Sequence, residues 1–289
     1  MSRPSDAVTP AQPVAWPGKF RSAAVLTFDL DAEAAVLSMD PASAGRMSVM
    51  SHQAYGPLVG VPRLLRILAA RSVRATFFVP GYTAERYPSV VHAIADAGHE
   101  IAHHGYRHES MLGRSAEEEA AIIDRGLAAF DRIGLARPAG YRAPLWELNY
   151  HTPGLLAERG FRYDSSLMDA DVPYPLTPGL VEVPVHWGLD DWEQYAYLPG
   201  ITGSGVIESP GKVREMWTDE FTAMHEEGGC FVLTCHPFLS GRPSRARALA
   251  GLIDTMTATE GVWLTTMAEI ADHVAGLRLA PRRIEVPEP

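Results

Sequence analysis

Short apolar runs alternate with helical segments along most of this chain, and that alternation limits the fold more than any other feature. SAAVLTFDLD (22–31), RATFFVPG (74–81), HEIAHHG (99–105), AGYRAP (139–144), FRYDSSL (161–167), LVEVPV (180–185), CFVLTCHP (230–237) and the start of GVWLTTMAEIADHV (261–274) read as strands. Between them lie GVPRLLRILAARSV, ERYPSVVHAIADAG, SAEEEAAIIDRGLAAFDRIG, VREMWTDEFTAMHEEG and RARALAGLIDTMTAT, which read as helices. The third opens on Ser115 with glutamates in its first turn, a capped start, and Gly98 closes the second. Roughly seven strands alternating with helices, with no sequence repeat, predict an α/β fold with a parallel, barrel-like sheet. Residues 33 to 58 show no period and are expected to form a long loop, of the kind that serves function in a compact domain.

Four of the strand-like runs end in polar clusters. They deliver Asp29 and Asp31, His104 and His108, Arg142, and His236. The C-terminal ends of parallel barrel strands open on one face, so these residues are expected to share one rim. Asp31, His104 and His108 would supply one carboxylate and two imidazoles, a three-ligand set with room for water, as in catalytic zinc sites. Such ligands suit other divalent metals as well. Asp29 is expected to point away from Asp31 and to be free as a base, while His236 could protonate a leaving nitrogen.

The segments TFDLD, HGYRH, YRAPLW, LDDW and LTCHP, in that order, resemble the five motifs of the polysaccharide deacetylase (NodB-homology, carbohydrate esterase family 4-like) superfamily, over about residues 22 to 275. TFDLDAE, GHEIAHHGYRHE and HPFLSGRPSR are most similar to its signal-less branch, which holds allantoinase-like enzymes, cyclic imide hydrolases and some peptidoglycan deacetylases. The resemblance implies a distorted seven-stranded (β/α) barrel. It also implies that Asp29 is the base, that Asp31, His104 and His108 bind the metal, and that Arg142 positions Asp29. His236 would be the general acid, tuned by Asp191, with Asp164 the competing residue for that role. Two departures stand out: Leu30 separates the two aspartates, and Pro144-Leu145-Trp146 replaces the usual Pro-Tyr. Both bear on the substrate and leave the hydrolytic set intact.

The expected activity is metal-dependent hydrolysis of a non-peptide C–N bond, with zinc the first metal to test. The substrate would be a small cyclic amide or imide or an N-acetylated sugar. Peptidoglycan or polysaccharide N-deacetylation is the alternative, and a non-catalytic sugar- or metabolite-binding protein the remaining one. A net charge of −10 argues against nucleic acid and anionic membrane as partners. Neither a signal segment nor a stretch of about 20 apolar residues is visible, which predicts a cytoplasmic protein. Branch relatives suggest a homodimer or homotetramer. Residues 1–21 read as an irregular Pro-rich arm, 22–275 as the catalytic domain and 276–289 as a tail. Cys230 and Cys235, five apart on one run, should face opposite sides and stay unpaired. Cys235 is expected to be a small buried hydrophobe. His99 and His103 read as structural, and Trp146, Trp187 and Trp192 as either core or substrate platforms.

Overall fold

A computed structural model describes residues 11–177, 179–198, 200, 206–282, 284 and 286. Nine strands form one sheet: β1 (Ser22–Asp29), β2 (Thr76–Val79), β3 (Glu100–His103), β4 (Gly140–Tyr141), β5 (Tyr163–Asp164), β6 (Tyr174–Thr177), β7 (Leu180–Glu182), β8 (Cys230–Cys235) and β9 (Val262–Thr265). The order runs β6-β7-β5-β4-β3-β2-β1-β8, and β9 pairs with the first half of β1. Every pairing is parallel except β6 with β7. An isolated parallel bridge from Asp190 to Thr234 brings the chain beyond β7 back to β8. The sheet therefore curls into a distorted (β/α) barrel. The excess over roughly seven strands includes β6, whose Pro175 makes it read as a non-strand and whose antiparallel edge position tolerates that proline.

All eight residues of β1 are buried, because both of its faces are covered. Ala24, Leu26, Phe28 and Leu30 pack outward against helices with Leu64, Phe231 and Leu233. Ala23 and Val25 face inward with Phe78, Ala102, Tyr163 and Val232. The inward parity continues through Thr27 to Asp29, so a polar residue ends the barrel's own stack of side chains. The cysteines divide as their odd spacing predicts: Cys230 belongs to the inner cluster and Cys235 to the outer one, both unpaired.

The expected loop at 33–58 is wrong. The chain there is helical over Glu33–Met39, Pro41–Gly45 and Met47–Tyr55, with a π-turn over Gly56–Gly60 that runs directly into the helix Val61–Ala69. The sequence hides this because burial does not follow a helical period. Glu33 to Val36 are buried consecutively, and only Gln53 is buried in the helix Met47–Tyr55. The strap then presses on the turn after β8, where a methyl group on Gly60 would lie 2.1 Å from the Pro237 carbonyl. Helices predicted elsewhere form as Pro88–Asp96, Ala116–Arg132, Pro210–Glu227 and Pro243–Ala258. Ser115 and Glu118 complete a reciprocal capping box, as the Ser-x-x-Glu spacing requires. Residues 11–21 form no helix or strand, yet Trp16 is buried, its indole donating to the Gly228 carbonyl and stacking on His273. Residues 1–10 of the proposed arm lie outside the described residues. In the tail, Arg282 donates to the Asp169 carbonyl and lies over the Tyr174 ring.

Candidate active site

Parallel register carries the polar residues to one rim. Asp29 pairs with Phe78, Val79 with His103, His103 with Tyr141, and Phe28 with Cys235, so the residues just beyond each strand end meet. Asp29, Asp31, His104, His108 and His236 line one cavity of about 130 Å³. Its other walls are Met39, Leu145, Trp146, Trp187, Asp190, Trp192 and Glu193. The expectation that Asp29 points away from Asp31 is overturned: residues two apart on an extended chain share a face, and both reach the same cavity.

Asp31, His104 and His108 place donor atoms within 4.8 Å of one another. His104 Nδ1 donates to the Arg142 carbonyl at 2.7 Å, which leaves Nε2 as a bare lone pair 3.5 Å from Asp31 Oδ1. His108 Nε2 lies 3.6 Å from Asp31 Oδ2. Neither oxygen of Asp31 has a hydrogen-bond partner, although both are buried. Burial pushes His104 down to about 3, so it is neutral and ready to ligate. Unpaired carboxylate oxygens facing imidazole lone pairs at low dielectric are costly on their own, and a divalent cation satisfies all of them. The residues present therefore fit a metal.

Arg142 is fully buried behind Asp29. It donates to Asp29 Oδ1 at 2.7 Å, Thr27 Oγ1 at 3.0 Å, and the carbonyl and hydroxyl of Ser165 at 3.1 Å each. Its guanidinium lies 4.0 Å above the Phe78 ring. Four acceptors fix its plane, and the plane fixes Asp29. On the other side, His236 Nδ1 meets Asp191 Oδ1 at 2.7 Å, and Nε2 lies 3.6 Å from Asp31 Oδ2. Asp191 also accepts from the His236 backbone at 2.8 Å, and from the backbone and hydroxyl of Ser240. Burial alone would lower the His236 imidazole, but Asp190, Asp191 and Asp31 outweigh it and hold it up at about 10. Asp190 is pushed up to about 7, chiefly by burial.

Asp164 does not approach His236. Its carboxyl accepts from Ser166 and shares a buried site with Glu182, where burial raises both groups. His103 is structural in geometry: buried, bonded to the Ile123 carbonyl and accepting from the Gly105 N–H. His99 Nδ1 accepts from the Ala75 N–H. Trp146 and Trp187 stack at 4.2 Å and form a cavity wall, with Trp187 45% exposed. Among the described residues six non-glycine residues have positive φ, and four of them, Ala32, His108, Leu145 and Trp146, line the cavity or adjoin Asp31. Strain of this kind is held only where packing over-determines it, and it concentrates at functional sites. Ser165, Ser240, Asp190, Met39 and Glu193 were not legible as site residues. Their signal is tertiary proximity, apart from Asp190, which adjoins Asp191 in LDDW.

A distorted α/β barrel with an Asp-His-His set, an arginine-held carboxylate and a carboxylate-held imidazole on one rim defines a hydrolytic enzyme. A family model for polysaccharide deacetylase matches residues 50–163. The chain is 33% identical over 254 residues to a peptidoglycan deacetylase of Helicobacter pylori, covering 78% of this chain and 86% of that one. It superposes on a candidate polysaccharide deacetylase from Mycobacterium smegmatis with a TM-score of 0.96 and 55% identity, covering 97% and 99% of the two chains. Puue allantoinase shares the fold, with a TM-score of 0.81 at 24% identity over 96% of this chain and 99% of that one. The chain belongs to the polysaccharide deacetylase family.

Proposed function

We propose that the protein hydrolyses the N-acetyl group of an amino sugar, a reading supported by its likeness to the Helicobacter pylori protein named as a peptidoglycan deacetylase. The observation that carries this reading is the convergence of three paired devices on one cavity: the Asp31-His104-His108 set, Asp29 with Arg142, and His236 with Asp191. Asp31, His104 and His108 would hold a divalent cation, zinc first among the candidates. When bound, such a cation supplies Lewis acidity to a water molecule and to the substrate carbonyl. Arg142 occupies Asp29 Oδ1 and leaves Oδ2 to accept a proton from the attacking water. Asp191 fixes His236 through Nδ1, so Nε2 presents a proton to the departing nitrogen.

A second reading, hydrolysis of a small cyclic amide or imide, is favoured by the cavity itself. An apolar cavity of roughly 150 Å³ takes one benzene-sized ring, and the one here is about 130 Å³ and walled by Met39, Leu145 and three tryptophans. The two readings separate on a hydrolysis panel of chitooligosaccharides, succinimide, hydantoin, dihydrouracil and allantoin, with and without added zinc. Release of acetate from the sugars alone supports the first. Ring opening alone supports the second. No turnover on any member, with metal bound, points to the non-catalytic binding role.

The remaining expectations belong to the same proposal. Residues 22–275 form the catalytic unit, consistent with β1 at one end and the helix Met267–Gly276 at the other. A cytoplasmic setting is part of the same proposal, and cell fractionation tests it. Among the described residues no helix is long and apolar enough to cross a membrane. Self-association into a dimer or tetramer is supported by Met47, Leu58 and Val59, each exposed on the 33–60 strap.

A further inference from the structure

The wall formed by residues 187–193 carries two acids that the proposed chemistry does not use. Asp190 is only 4% exposed and lines the cavity. Its Oδ1 accepts from the Trp192 N–H at 2.8 Å and lies 3.5 Å from His236 Nδ1, while its second oxygen has no hydrogen-bond partner among the described residues. Glu193 stands beside it at the exposed rim. No ammonium or guanidinium answers them: among the described residues the only basic side chains lining the cavity are histidines. Of these His236 is already paired with Asp191, and Arg142 spends its donors on Thr27, Asp29 and Ser165 behind the cavity.

We propose that Asp190 and Glu193 make this cavity select uncharged substrates rich in hydrogen-bond donors and reject those that carry a carboxylate away from the reacting carbonyl. The inference rests on the hydrolase reading above and narrows its substrate class. A carboxylate held along this wall, away from the Asp31-His104-His108 set, loses its hydration, finds no ammonium or guanidinium and meets the Glu193 carboxylate. A hydroxyl or amide N–H finds the free Asp190 oxygen, and the ring behind it can lie on Trp146, Trp187 or Trp192.

Two matched pairs of probes test it: N-acetylglucosamine against N-acetylmuramic acid, which adds a lactyl carboxylate, and dihydrouracil against dihydroorotate, which adds a ring carboxylate. Binding is read by calorimetry and hydrolysis by product release, both on zinc-supplemented protein. The wild type is expected to favour the uncharged member of at least one pair by about tenfold or more. Asp190→Asn and Glu193→Gln should each shrink that ratio severalfold by improving the charged member. Discrimination by bulk would survive both variants unchanged. Glu193→Gln lies at an exposed position, so it keeps the test valid if Asp190→Asn does not fold. Equal binding of both members, binding of neither, or a ratio that the variants leave unchanged overturns the inference. Equal hydrolysis of both members removes this selectivity while the hydrolase reading stands. Discrimination in binding without any hydrolysis does the reverse.

Discussion

Asp191 sits beneath His236 with both of its oxygens occupied, one by the imidazole and its own backbone N–H, the other by Ser240. A general acid must carry its proton, and the surrounding carboxylates keep one on His236 above its ordinary range. Activity is therefore expected to fall as pH rises through the His236 pKa. Asp191→Asn should move that basic limb downward by about one pH unit or more, read from kcat against pH. A limb that does not move would mean that Asp191 only orients the ring. Asp29→Asn preserves the bond from Arg142 and removes a basic oxygen, so turnover should drop by about 10²-fold or more while metal content stays at the wild-type level. His104→Ala should instead lower metal content and activity together, and full activity after exhaustive chelation would exclude the metal assignment.

At the level of elements, the acid depends on a helical strap that is remote in sequence. The π-turn Gly56–Gly60 lies against the turn after His236, and Gly60, Pro237 and Gly241 approach backbone to backbone. In a helix interior alanine is ordinarily more stable than glycine by about 1 kcal/mol. Here the added methyl would meet the Pro237 carbonyl at 2.1 Å. Gly60→Ala is therefore expected to reverse the sign and destabilise by about 1–3 kcal/mol. It should also lower kcat, because the displaced turn carries His236. Urea unfolding measures the first effect and steady-state kinetics the second. A more stable, fully active variant would show that the strap and the turn are not coupled.

At the scale of the whole molecule, burial makes stability depend on pH. His103 is packed among Phe130, Tyr141 and Phe161, and burial lowers it from 6.5 to about 4. The native state holds it neutral, whereas the unfolded chain binds a proton near its ordinary pKa. Its contribution is present above pH 6.5 and is lost as pH falls through about 4. At roughly 1.4 kcal/mol per pH unit this amounts to about 3 kcal/mol. The stability gap between wild type and His103→Gln should narrow over that window, measured by urea unfolding with chelator present to keep metal release out of the signal. A constant gap would mean that His103 matters only for packing. The exposed apolar strap predicts association, so light scattering at micromolar concentration should give two or four times 31.5 kDa. A mass of one chain would refute it.

The strands, most helices and the strand-end chemistry were legible because they are written in local patterns: continuous apolar runs, a capping box, and polar residues placed where each run stops. The grouping of Asp29, Asp31, His104, His108, Arg142 and His236 followed from the rule that parallel strands share a rim. Three things were decided by tertiary structure. The 33–60 strap is helical although its burial follows no helical period, because its segments meet several separate neighbours, the helix Gly81–Arg86 and the turn Pro237–Ser240 among them. Asp29 and Asp31 share a cavity because the alternation of β1 carries past the strand end. The contact between Asp191 and His236, which the LDDW resemblance implied, is made by the Asp190–Thr234 bridge that brings the two segments together. Residues far apart in the chain carry no mark of their contact in their own local pattern, and only the curled sheet, which places position 191 beside 236 and position 60 against 237, makes it.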